Sequence, residues 1–253
     1  MTVDVQFGLK LWSTDAALLP GAVDLIREGA FHYLEIVPVP GTPMEPFAAA
    51  GLPSVIHAAS EQHGVNIADP ARKDLSRRLV DRCLAWADRL GSPQVILHPG
   101  FGDPAVAARF LARLGDRRIV IENMPKVGLF GEPMVGYDRT GLVPLLGACS
   151  GFCLDLNHAV KAAVSLRVDY RAFTRDLMGL SPVLFHISDG TLATERDEHL
   201  SIGDGEYDFT FLTRCIARRP GARVTLGTPR PSGTLRDDLA NRGRLIGFLE
   251  DLA

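Results

Sequence analysis

No apolar run among the 253 residues approaches the ~18 that cross a bilayer as a helix. Residues 1–10 also lack the charged-then-apolar pattern of a secretory signal. Cysteine is sparse. Cys83, Cys149, Cys153 and Cys215 follow no zinc-ribbon or disulfide-framework spacing, which predicts reduced thiols and a cytoplasmic location. A basic excess is missing too: 30 acidic residues face 27 basic ones, for a formal net charge of -3. That balance counts against a nucleic-acid binder, although basic residues can still cluster. Lysine is nearly absent, 4 residues beside 23 arginines, and arginine is the better bidentate phosphate ligand. No internal repeat, low-complexity tract or linker divides the chain, so residues 1–253 read as one domain.

A hydrophobic fraction of 46% and a charged fraction of 23% exclude a mostly disordered chain. Eight short β-rich apolar runs recur, at 5–11, 33–37, 54–56, 94–97, 118–121, 151–154, 183–187 and 223–226. Helical spacing separates most of them. The clearest helix starts at Asp69-Pro70, an N-cap followed by proline, and ends at Gly91. Its expected apolar stripe is Leu75, Leu79, Cys83, Trp86 and Leu90. Residues 16–28, 105–114 and 209–219 read as helices of the same kind. Eight strand–helix units in this length predict an α/β fold, a single (β/α)8 TIM barrel. An open doubly wound sheet usually has a Gly-rich first turn, and Lys10-Leu11-Trp12-Ser13 is not one. Two long loops, 123–141 and 189–208, follow strands and would cover the C-terminal mouth.

Groups that can bind a metal cluster where the strands end. The third run ends at His57, the fourth at His98, and the fifth at Glu122-Asn123. The sixth runs into Asp155-Leu156-Asn157-His158. The seventh holds His186, and its loop holds Asp197 and His199. One strand-end Asp more often caps the next helix, and one His is more often buried and hydrogen-bonded. Here five of seven histidines fall at or just after strand ends, and His32 and His63 are left as structural or surface residues. In a closed barrel the five converge with three carboxylates, whose repulsion would raise their pKa values unless a cation compensates. Imidazole and carboxylate without thiolate suit zinc, manganese or iron better than calcium or magnesium.

Six segments then carry a resemblance. They are Ile56-His57-Ala58, Leu97-His98-Pro99-Gly100, Ile121-Glu122-Asn123, Leu154-Asp155-Leu156-Asn157-His158, Phe185-His186-Ile187-Ser188-Asp189, and Asp197-Glu198-His199 followed by Ile202-Gly203-Asp204-Gly205. In this order the chain resembles the xylose-isomerase-like barrel superfamily (AP endonuclease family 2), and within it the endonuclease IV branch, from Phe7 to Pro229. The resemblance implies three metal ions, zinc above all. His57 and His98 would bind one ion, and Glu122 would bridge it to a second. Asp155 and His186 would complete the second site. His158, Asp197 and His199 would hold a third. Such a centre hydrolyses phosphoesters, with Glu122, Asp155 and His186 at its catalytic heart. The sugar isomerase and epimerase branch uses one ion, with Glu122 as ligand and acid–base group.

Two departures qualify this. Both branches place a metal-binding Glu at the end of the eighth strand, and this chain reads Leu226-Gly227-Thr228-Pro229. Gly227 offers no side chain, so a barrel that binds a ligand without catalysis is a third reading. Glu35, resembling an acidic residue of the sugar branch, is a substitute ligand or a residue hydrogen-bonded inside the mouth. The loop after the third strand, Ala58-Ala59-Ser60-Glu61-Gln62, has no aromatic to open a duplex. That disfavours abasic DNA and favours a small-molecule or other phosphoester substrate. Arg72, Lys73, Arg77, Arg78 and Arg82 read as a solvated face balanced by Asp69, Asp74 and Asp81. Lys10, Trp12, Glu35 and Asn123 are the candidate substrate-binding residues. Phe130, Met134 and Tyr137 are either an apolar lid or anchors of a long loop.

Overall fold

The computed structural model describes residues 4–252; residues 1–3, which begin the segment inspected for a signal, and Ala253 lie outside the described residues. Eight parallel strands close into a barrel, each paired with the next and the last with the first. They are β1 (Val5–Trp12), β2 (Tyr33–Val37), β3 (Ser54–His57), β4 (Val95–Leu97), β5 (Ile119–Glu122), β6 (Gly151–Asp155), β7 (Leu184–Ile187) and β8 (Ala222–Leu226). Every run anticipated from the sequence is a strand, with ends within one residue.

Among the described residues, nine α-helices pack around the barrel: α1 (Leu19–Arg27), α2 (Glu45–Ala50), α3 (Lys73–Leu90), α4 (Pro104–Leu114), α5 (Arg139–Leu146), α6 (Leu156–Leu166), α7 (Tyr170–Met178), α8 (Phe209–Ala217) and α9 (Arg236–Glu250). Aspartates cap many of them. Asp103, Asp138, Asp155, Asp169 and Asp208 each accept a backbone N–H of the first turn. Two of the helices not anticipated lack a clean stripe, whereas α7 buries Tyr170, Thr174 and Leu177 along one face. α6 is buried nearly all round through Ala163, and α9 buries Asp238 and Asn241 beside Leu245 and Leu249. In α3 the buried face is Ser76, Val80, Cys83, Trp86 and Ala87. Of the expected stripe, Leu75 is exposed, while Leu79 and Leu90 are partly buried and pack on the core beside Cys83 and Trp86. Of the basic residues there, Arg77 pairs with Asp81 at 2.8 Å, Arg72, just before α3, lies 3.8 Å from Asp69, and Arg82 donates to the Thr42 carbonyl. Among the described residues, no helix is long and apolar enough to cross a membrane.

Alternation along the strands positions the site. One set of side chains faces the helices and forms the main core. The other set points into the barrel. Its lower layer is apolar: Tyr33, Val55, Ile96, Val120, Cys153 and Leu184 form one buried cluster. Two residues further along each chain stand Glu35, His57, His98, Glu122, Asp155 and His186. The polar site is therefore the next interior layer, raised on an apolar floor. Gly8 makes room for that floor, because a Cβ there would overlap the Tyr33 ring and Thr225.

Candidate metal centre

Glu122 sits at the middle of four imidazoles. Its Oε2 lies 3.2 Å from Nε2 of both His57 and His98. Its Oε1 lies 3.1 Å from His186 Nδ1 and 3.5 Å from His158 Nδ1. All five residues are strand-borne or closely follow a strand, and Glu122 is almost wholly buried. Beside them a second group is carried by α6 and the long loop after β7. Asp197 Oδ2 lies 3.5 Å from His158 Nε2 and 3.1 Å from His199 Nε2. Within the groups His57–His98–Glu122, Glu122–Asp155–His158 and His158–Asp197–His199, the donor atoms lie within 4.8 Å of one another.

The donor set fits a divalent cation. His57, His158 and His199 donate Nδ1–H to the carbonyls of Ala58, Asn123 and Gly227, at 2.9, 2.8 and 2.6 Å. Where the ring is neutral, as at His57, this turns an Nε2 lone pair toward a carboxylate oxygen, acceptor facing acceptor. A cation between them satisfies both sides. Ring nitrogens tied to carbonyls in this way are the usual support of metal-binding histidines. Burial pulls His57 down to about 4, so a proton does not fill that gap at neutral pH.

The other imidazoles behave differently. Burial alone would lower His98, but Glu122 and Glu61 raise it to about 10. His158 is likewise lifted against burial, to about 9, by Asp155 and Asp197. Burial would push Glu122 up; His186 and His98 hold it well below the carboxylate range. Asp197 is held down in the same way by His158 and His199. Glu122 and Asp197 are thus shifted down rather than up, because imidazoles stand between them.

Asp155 does two things at once. Its Oδ1 caps α6 at His158 N, 2.8 Å away, and its Oδ2 stays within 3.9 Å of His158 and His186 Nδ1. Asn123 is wholly buried. It exchanges two hydrogen bonds with the Asp155 backbone, at 2.9 and 2.8 Å, and so positions that residue. Glu35 is also wholly buried. It accepts from Thr225 at 2.7 Å, faces His186 Nε2 at 2.9 Å and pairs with Lys10 at 3.3 Å. Lys10 and Trp12 line the mouth, a cavity of about 250 Å³ that also contains Glu122, Asp155 and Gly227. Cys153 lies near His186 and Glu122, but burial first pushes its thiol up to about 12. It is a floor residue rather than a thiolate.

Several contributors escaped sequence reasoning. Glu61 holds His98 Nδ1 at 3.2 Å, so the acid in the third loop orients a ring. Lys161, wholly buried on α6, donates to the Thr191 and Thr194 carbonyls and to Glu198 Oε2, at 2.8, 3.1 and 2.6 Å. Asp189 accepts the N–H groups of Gly190, Gly203 and Gly205 at 2.8 to 2.9 Å. These contacts shape the loop that bears Asp197 and His199, and only the acid-plus-glycine run Gly203-Asp204-Gly205 hinted at them. At Gly227 a Cβ would lie 3.2 Å from His199 Nδ1. The glycine brings its carbonyl against the ring. Met134 is buried and anchors the loop after β5, whereas Phe130 at its tip is 87% exposed. His32 accepts from Phe7 N, and His63 packs on the Trp12 ring, both outside the cluster.

A closed parallel barrel with its polar cluster at the strand C-termini is the arrangement of the TIM-barrel enzymes. The chain belongs to the xylose isomerase-like TIM barrel family, whose model matches residues 45–251. No curated protein matches the sequence. Solved structures share the fold. A D-tagatose 3-epimerase-like protein superposes with a TM-score of 0.72 at 20% identity, covering 98% of each chain. Endonuclease IV from Thermus thermophilus gives 0.71 at 23%, covering 97% of this chain and 99% of that one. A second Thermus thermophilus protein, soaked with zinc chloride, gives 0.62 at 18%, covering 96% and 98%.

Proposed function

We propose that this protein is a metal-dependent hydrolase of a phosphoester, of the endonuclease IV type, holding more than one divalent ion in the barrel mouth. Zinc suits the imidazole and carboxylate donors best, with manganese or iron as alternatives. The observation that carries this reading is the pair of adjoining clusters, His57–His98–Glu122 and His158–Asp197–His199. A single-ion sugar isomerase would have no use for His57, His98, Asp197 or His199. In this reading Glu122, Asp155 and His186 complete the site between the two clusters.

Divalent ions held there would activate water and neutralise charge on the phosphoester oxygens. The chain's own groups do the rest. Ala58, Asn123 and Gly227 carbonyls and the Glu61 carboxylate fix the rings. The apolar floor keeps water from the underside of Glu122. Ser60 is buried and Glu61 is bonded to His98, so the third loop exposes Gln62 at the mouth and no aromatic to wedge into a duplex. A small-molecule phosphoester is the preferred substrate class over abasic DNA. The unpaired cysteines agree with a reducing cytoplasm.

Elemental analysis of protein incubated with zinc and manganese tests this. The expected wild-type count is more than one ion per chain. His57→Ala/His98→Ala and His158→Ala/His199→Ala should each lower it while leaving the other cluster loaded. One ion per chain, unchanged in both variants, together with proton exchange at a sugar carbon, would establish the isomerase reading. A wild-type count far below one would sink both.

A further inference from the structure

We propose that the end of β8 is an oxyanion subsite, so that the substrate itself supplies the negative charge missing at Gly227. This rests on the metal-dependent reading above and narrows its substrate to a small molecule bearing a phosphate or carboxylate group. Strands β1 and β8 pair with Gly8 opposite Thr225. Lys10 and Gly227 each lie two residues further on, so the lysine stands beside the position that has no side chain. The Lys10 ammonium is 22% exposed and has three N–H donors. Among the described residues its one ionic partner is Glu35, at 3.3 Å.

Two further groups border the same space. Thr228 lines the mouth and is 91% buried, since only 9% of it is exposed, and its Oγ1 has no hydrogen-bond partner. A buried hydroxyl without a partner is uncommon in a folded protein. Arg230 also lines the mouth. Its Nε and Nη2 are held by Asp238 at 2.6 and 2.9 Å, and Nη2 also donates to the Lys10 carbonyl. That leaves Nη1 as a fixed donor with no partner among the described residues. An ammonium, an unpartnered hydroxyl and a pinned guanidinium around a glycine are a donor-rich surface of positive charge, whereas a carboxylate side chain at Gly227 would have filled it with acceptors. A substrate oxyanion there would face donors on one side and the proposed metal ligands on the other.

The test is calorimetric titration of zinc-loaded protein with inorganic phosphate and with malonate, metal content being measured on every sample. Lys10→Gln should weaken binding of the preferred anion by about 10- to 100-fold, the range of a charge-assisted hydrogen bond. Thr228→Val should weaken it about 2- to 10-fold. Because Oγ1 holds nothing in the protein, this variant has no internal hydrogen bond to lose. Tighter binding of phosphate identifies a phosphate-bearing substrate, and tighter binding of malonate a carboxylate-bearing one. Unchanged affinity in both variants at wild-type metal content, or no anion binding to the wild type, would overturn the subsite. If the wild type holds no metal yet binds phosphate in a manner that depends on Lys10 and Thr228, the subsite stands and the metal-dependent reading falls.

Discussion

The two donor clusters of the mouth are built on different foundations. His57 and Glu122 belong to barrel strands, and His98 directly follows one; their side chains are 5, 1 and 13% exposed. Asp197 and His199 belong to the loop after β7, and His199 is 42% exposed. The strand cluster inherits its geometry from ladder hydrogen bonds that the whole barrel must keep. The loop cluster is held by side chains: Lys161 on Glu198, Asn157 on Asp197 at 2.5 Å, and Asp189 on three glycine N–H groups. Rigid placement thus comes in one region from backbone pairing, and in the other from buried polar contacts that a single substitution can remove.

The largest effect should come from the residue that joins the two regions. Glu122→Ala removes the carboxylate between His57, His98, His158 and His186. Metal affinity should fall at least ~100-fold, beyond the loss that removal of a supporting residue causes. Competition with a chromogenic chelator measures this, and wild-type affinity in the variant would remove Glu122 from the ligand set.

Lys161→Met sharpens the contrast. It should weaken the loop cluster by roughly 10- to 100-fold and leave the strand cluster loaded. Chelator-driven release should then show one fast and one wild-type phase. Two wild-type phases would mean that the loop keeps its shape without the lysine.

The smallest effect lies outside the site and asks whether the same contrast holds for thiols. Cys153 on β6 is wholly buried, whereas Cys149 in the preceding connection is partly exposed. Burial pushes both up to about 12. A raised thiol pKa keeps the sulfur protonated at neutral pH. Alkylation of Cys149 should therefore rise about tenfold per pH unit between 7 and 9, while Cys153 stays unmodified until the barrel opens. Peptide mass spectrometry reads both sites. Equal labelling rates would show that the strand region opens as readily as the connection.

Much of this was legible beforehand because both signals are local. A strand in a parallel barrel is a short continuous apolar run, and a polar residue at its C-terminal end breaks that run visibly, as at His57, His98 and Glu122. The pairing of Asp155 with two tasks was half legible, since a strand-end aspartate followed by a helix reads equally well as a cap. The burial of Ser76 in place of Leu75 in α3 was not legible, because helical spacing admits both positions and only the packed neighbours choose between them.

The sequence by itself determined that this chain closes eight strand–helix units into a barrel and that histidines and carboxylates gather at the ends of its strands. Apolar run length and helical spacing carry that information residue by residue. The tertiary structure alone decided which groups meet. Glu61 with His98, Lys161 with Glu198, Asn123 with Asp155, and Lys10 beside Gly227 are separated by 37, 37, 32 and 217 residues in the chain. Such contacts arise from strand register and loop closure. Neither leaves a mark in local composition, because each depends on the barrel as a whole having already closed.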